Sequence, residues 1–139
     1  MNHILDKFGP AFDLAARVFL AHIFIISGAG KIAAYAGTQA YMAAYGLPGG
    51  LLPLVIVTEF VGGMALAAGV FSRWAALALA AFTLVATGIF HFDFADQAQQ
   101  IAFMKNLAVI GGLLLVVRHG SGRFSLDGWL ALTKAALRA

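Results

Sequence analysis

Four apolar runs, each close to the length of a bilayer crossing, leave this chain little else to fold. They cover about Leu14–Ile32, Leu51–Val70, Arg73–Phe90 and Ile101–Val117 of 139 residues. A helix needs roughly 17–25 apolar residues to cross the hydrocarbon core, and the fourth run only just meets that. The remainder is too short for a soluble catalytic domain. Composition agrees: 62% of residues are hydrophobic and 11% charged, against roughly 45–50% and 25% in an ordinary soluble domain. So few charges cannot cover a water-facing surface, and the apolar excess must meet lipid, a large partner, or both. The expected fold is all-α: a four-helix transmembrane bundle making one domain over residues 1–139.

The connections differ in kind. Only Phe71 and Ser72 separate runs two and three, which implies a tight antiparallel hairpin. A polar loop, His91 to Gln100, joins runs three and four. Between runs one and two, residues 33–50 hold Tyr35, Tyr41 and Tyr45 and then Gly46-Leu47-Pro48. Thr38 can cap a short helix there, and Gly46 and Pro48 can end it. Tyrosines suit the headgroup layer, so a short interfacial helix lying as a lid is expected. After Asp127, Trp129, Leu130, Leu132 and Leu137 with Lys134 and Arg138 suggest a second, amphipathic interfacial helix.

The net charge is +3, but the basic residues sit at the ends of apolar runs, which speaks for topology and not for nucleic acid. Lys7, Arg17, Arg73, Arg118, Arg123, Lys134 and Arg138 fall on one side, Lys31 and Lys105 on the other. The positive-inside rule then puts both termini in the cytoplasm. The first run is read as a retained helix and not a cleaved signal: it is too long, and Asp6 and Asp13 precede it. No cysteine is present, which excludes disulfides, thiolate ligands and a dithiol relay within the chain.

Ionisable residues inside spans are costly and usually face the bundle interior. Glu59 is the deepest, eight residues past Leu51 and so roughly 12 Å below the start of its helix. Lys31 ends helix one, His91 ends helix three, and Lys105 with Asn106 lies one turn into helix four. At about 100° per residue, four inward stripes result. They are Arg17-Leu20-Phe24-Ser27-Lys31, Leu52-Val55-Glu59-Gly63-Leu66, Arg73-Ala80-Leu84-Thr87-His91 and Lys105-Val109-Gly112-Val116. Glu59 is expected to pair with Lys31 or Lys105 in an outward-facing pocket, with His91 and Asn106 beside it and Tyr41 and Tyr45 above. Those seven residues form the candidate ligand-binding set. The bland alternative is an ion pair that only holds helices together; the surplus of polar groups over one pair favours a pocket that relays a proton or holds a small anionic or carbonyl-bearing ligand.

Other polar residues read more simply. His22, mid-span on the opposite face of helix one, is expected to bond a backbone carbonyl, with an oligomer contact as the alternative. His3 belongs to a solvated tail, and Arg17 is expected to pack while snorkelling to the inner headgroups near Arg73, with a functional charge as the alternative. Asp93 and Asp96 beside His91 do not complete a metal ligand set, so no metal is assigned.

Several short elements, in order, resemble the DoxX family. They are Ser27-Gly28-Ala29-Gly30-Lys31-Ile32, Gly37-Thr38, Tyr41-Met42, Gly46-Leu47-Pro48, Glu59 followed by Gly62-Gly63 and Gly69, Phe103-x-Lys105-Asn106, and Gly120 to Asp127. The resemblance runs from about Arg17 to Asp127. Ser121 departs from it, standing where the family frequently has proline. The resemblance implies a small four-helix, multi-pass protein of the bacterial inner membrane, associated in some members with redox or stress-defence systems. It implies no catalytic mechanism, and no catalytic residue is assigned. In the last motif, Ser125 can cap the helix that follows and Asp127 can sit in its first turn.

Three functions compete. The first is an oxidoreductase-associated subunit binding a quinone or quinone-like molecule. No haem pair, nucleotide fingerprint or flavin site is detected, so its electrons would come from a redox partner protein. The second is a small-solute transporter, which in so small a bundle requires a homo-oligomer. The third is a membrane scaffold recruiting a soluble partner. The redox-linked reading ranks first, on the resemblance.

Overall fold

A computed structural model of the chain describes residues 2–138, with side chains from Lys7 to Arg138; the side chain of His3 lies outside that range. Six helices follow one another: α1 (Asn2–Ala33), α2 (Tyr35–Ala44), α3 (Gly49–Ala68), α4 (Ser72–Phe90), α5 (Gln97–His119) and α6 (Leu126–Ala136). Of these, α1, α3, α4 and α5 are long and apolar enough to cross a membrane. The bundle therefore has a Lys31 end, bearing α2 and the α4–α5 loop, and an Arg17 end, bearing the α3–α4 hairpin and α6.

The short helix between α1 and α3 forms, but its start is not capped by Thr38. It begins at Tyr35, where Ala34 N–H still bonds Gly30 O and Thr38 N–H bonds Ala34 O, so α1 almost runs on into α2. Thr38 lies in its second turn, and its hydroxyl donates back to Ala34 O at 2.9 Å. The expected stop does occur. Gly46 adopts φ +76°, Gly46 N–H bonds Ala43 O, and Leu47 N–H bonds Met42 O, the paired bonds that close a helix at a left-handed glycine.

The core is a cluster of Ala21, Phe24, Leu66, Ala76, Leu79, Ala80 and Leu113. Helices α1 and α3 approach closely because glycine permits it. A Cβ on Gly28 would lie 2.9 Å from Phe60 N, and one on Gly63 would lie 3.2 Å from Ile25 N. The inward stripes of α1 and α3 match the expected ones. That of α4 is rotated: Ser72, Ala76, Leu79, Ala80, Thr83 and Thr87 are buried, whereas Leu84 is 59% exposed and Arg73 lies outside. The reason is that α4 serves two neighbours, α3 and α5, and its small and hydroxyl side chains fit between them. On α5 only Leu113 is fully buried.

Arg17 does not snorkel. It is 2% exposed, and its guanidinium donates to Ala67 O (3.2 Å), Phe124 O (2.8 Å) and Ser121 O. Carbonyls at the end of α3 and in the 120–125 loop supply inside the bundle what headgroups would supply outside. Around it the turn is dense. Asp127 N–H bonds Gly69 O at 2.9 Å, and the Asp127 carboxylate accepts from Phe71 N–H, Ser72 N–H and the Ser72 hydroxyl at 2.9–3.0 Å. Phe71 is a non-glycine residue at φ +45°, a costly conformation that those bonds offset. Burial works to raise the Asp127 carboxyl, but the Ser72 and Phe71 hydrogen bonds and the Arg17 charge outweigh it and hold it below the ordinary carboxylate range. Ser125 caps α6 as expected, accepting from Gly128 N–H.

Candidate functional site

Glu59 sits where the middle of α3 departs from regular α winding. Residues Val57–Val61 form a π turn, a widened turn that recurs at functional positions in other helices. One consequence is that the carboxylate enters the bundle beside α1, where Gly28 has let the backbones meet. Glu59 is 5% exposed. Its Oε2 lies 2.8 Å from Lys31 Nζ, and its Oε1 accepts from the Ser27 hydroxyl at 3.0 Å. Lys31 Nζ in turn donates to Ser27 Oγ at 2.7 Å. The three groups form a closed triangle. The Oε2 contact is Coulombic: no aligned hydrogen-bond donor reaches that oxygen among the described residues.

Lys31, not Lys105, is therefore the partner. Spacing explains it, since Ser27 and Lys31 are one turn apart on α1 and converge on the same carboxylate. The sequence reading has Ser27 on the inward stripe but not in the site; its i, i+4 relation to Lys31 is the signal that finds it.

The triangle forms part of the wall of a cavity of about 700 Å³. Of the seven expected residues, Lys31, Tyr41, Glu59, His91, Lys105 and Asn106 line it. Tyr45 does not. It packs at 5.0 Å from the Tyr41 ring and 4.9 Å from Phe90, and borders a smaller hollow of about 410 Å³ with Asp93, Asp96 and Gln99. The Tyr41 ring also stacks on Phe90 at 5.4 Å, so α2 is tied to the top of α4 by three aromatic rings. The neighbouring Tyr45 hydroxyl, with burial second, pushes the Tyr41 phenol above its ordinary value.

The remaining polar residues are held from behind. His91 Nδ1 lies 2.7 Å from Gln99 Oε1. Asn106 donates to Thr87 Oγ1 at 2.9 Å, and the Thr87 and Thr83 hydroxyls donate one turn back along α4 at 2.6 and 2.7 Å. Thr83 and Thr58 are wall residues that the sequence reading does not single out; hydroxyls in apolar helices bond their own backbone and give little signal. Lys105 is exposed, and no acidic group pairs with it among the described residues. Apolar side chains including Phe24, Leu54, Val55, Phe82, Val85 and Ile89 make up most of the rest. Chemically, this is a mostly apolar cleft with an anion and two cations in its wall.

His22 lies outside this arrangement. It is exposed on the far face of α1 and bonds no carbonyl among the described residues, so the expected intrachain partner is absent. An i−4 bond of the kind Thr83 makes needs a short side chain, which histidine lacks.

The DoxX family model matches residues 12–92 of the chain. Two Escherichia coli (strain K12) proteins are similar over most of its length. Inner membrane protein YqjF is 48% identical over 114 residues, spanning 82% of this chain and 88% of that protein. Inner membrane protein YphA is 34% identical over 125 residues, spanning 85% and 89%. No solved structure matches.

Proposed function

The chain belongs to the DoxX family, and from that premise we propose that it works in the inner membrane by holding a small amphipathic, quinone-like molecule in the cavity at the Lys31 end. The location rests on the four crossing-length helices and on the relatives' names. Both termini then face the cytoplasm, with seven cations at the Arg17 end and two at the Lys31 end, and the cavity opens toward the outer leaflet.

One observation carries the reading: a cavity of about 700 Å³, mostly apolar, with Lys31, Glu59, Lys105 and Asn106 in its wall. That is the build of a small-molecule site, which lies at about 300–1,000 Å³ with a few polar groups fixing orientation. A ring carrying carbonyl oxygens fits the donors, and an apolar body fits Phe82, Val85 and Ile89. The protein binds and positions, and a redox partner supplies or removes electrons.

The test is quinone-dependent stability of the purified protein in nanodiscs. A short-chain quinone at 100 times its Kd stabilises the wild type by about 2.7 kcal/mol. Ala86→Trp fills the cavity from a wall residue without removing a polar group, and abolishes that gain. Equal stabilisation of both proteins refutes the site. Solute flux through liposomes by the protein alone would replace the reading with a transporter.

A further inference from the structure

The cavity is not a closed chamber. Helices α3 and α4 meet along Gly62–Ala68, where a Cβ on Gly62 would lie 3.3 Å from Leu79. Toward the Lys31 end they part, and the Leu52–Ile56 stretch packs on α1 and α2 instead. The cleft between them is walled by Leu54, Val55 and Thr58 on one side and Phe82, Val85 and Ala86 on the other. Leu54 is 65% exposed and Val85 62%, so the two rims face the side of the bundle, where the hydrocarbon of the bilayer lies. On α4 the cavity extends from His91 down to Ala78, thirteen residues, or roughly 20 Å at 1.5 Å per residue. A cleft of about 700 Å³, roughly 20 Å long and open to the side, suits a single hydrocarbon tail.

The charge in its wall is unbalanced. Lys31 is spent on Glu59 and Ser27. His91 and Asn106 are engaged by Gln99 and Thr87. Lys105 lines the same cavity with no anion to answer it among the described residues. An ammonium with no counter-charge is open to pairing with a bound anion, and such a charge-assisted contact is stronger than one to a neutral head.

We propose that the occupant is a single-chain amphiphile whose head is anionic when bound, entering sideways from the bilayer between α3 and α4 and pairing with Lys105. This rests on the reading of the cavity as an amphiphile site and adds charge selectivity and a route.

Two probes of nearly one shape isolate the charge. A 3-alkyl-2-hydroxy-1,4-naphthoquinone is a vinylogous acid, ionised at neutral pH, and its 2-methoxy ether is neutral. Binding of each is measured on the full chain in phosphatidylcholine nanodiscs, for the wild type, Lys105→Gln and the double variant Leu54→Trp/Val85→Trp. The expected result is at least tenfold tighter binding of the hydroxy compound by the wild type. Lys105→Gln removes that preference, and the double tryptophan variant loses both compounds. Because Lys105, Leu54 and Val85 are all exposed, the variants are expected to fold, and helicity and monodispersity check this. Equal binding of both probes, or a preference that survives Lys105→Gln, overturns the charge selectivity while leaving the quinone-like site standing. Unchanged binding by the double variant overturns the lateral route. If phosphatidylglycerol in the nanodisc erases the preference, Lys105 answers bilayer headgroups, and the anionic occupant is refuted. Failure of both probes to bind overturns the site itself.

Discussion

Removing Lys31 tests whether the triangle is a true charge pair. Lys31→Met keeps the stem's length and deletes the ammonium. Glu59 is then left with Ser27 alone, its carboxylate 7% exposed and Oε2 facing no donor. Breaking a buried pair on one side costs roughly 3–5 kcal/mol, whereas exposed pairs contribute about 0–1 kcal/mol. Because the Lys31 side chain is 26% exposed, the expected loss falls around the bottom of the buried range, about 2–4 kcal/mol. The double variant Lys31→Met/Glu59→Leu replaces both charges with apolar groups, and such replacements are often neutral. It is therefore expected to recover most of that loss, giving a coupling of at least about 2 kcal/mol across the cycle. Reversible unfolding in mixed detergent micelles, followed by helicity, measures all four proteins. If Lys31→Met costs under about 1 kcal/mol, or the double variant loses the sum of the two single losses, the pair is not what holds α1 to α3 here.

Gly28→Ala places a methyl against Phe60 and is expected to cost about 1–3 kcal/mol, whereas Gly30→Ala meets nothing within 4 Å and is expected to gain about 0.5–1 kcal/mol from helix propensity. The same unfolding assay compares them. Arg17→Met orphans the carbonyls of Ala67, Ser121 and Phe124 and is expected to cost on the order of 3 kcal/mol or more; Arg17→Lys rescues little, because an ammonium cannot reproduce the planar fork. For Asp127 the folded carboxyl lies below its unfolded value, so its contribution is complete above about pH 4 and is lost as pH falls through the lowered folded value. Asp127→Asn is thus expected to be less stable than the wild type at neutral pH, with the gap closing in acid. A gap independent of pH refutes the charge contribution.

The crossings were legible because an apolar run of about twenty residues has one physical outcome in a bilayer. The depth of Glu59 was legible for the same reason, since a carboxylate inside such a run must find company. Its choice between Lys31 and Lys105 was not, because it depends on how closely α1 and α3 approach, which Gly28 and the π turn decide together. The burial of Arg17 is not legible, because its partners are main-chain carbonyls, which every residue carries and no sequence pattern marks. Periodicity alone turns Leu84 inward, but a helix with two neighbours has a buried face set by both, and serine, alanine and threonine fill it more easily than leucine.

At the Arg17 end, three segments distant in sequence are laced through one guanidinium and one carboxylate. The Lys31 end is joined by one triangle, isolated hydrogen bonds such as Asn106–Thr87 and His91–Gln99, and a few aromatic contacts. The free energy of local opening is accordingly uneven along the bundle axis. Amide exchange in Gly69–Ser72 and the first turn of α6 is expected to approach the global limit, while α2 exchanges through small, frequent openings. A molecule riveted at one end can breathe at the other without unfolding, its frame staying intact.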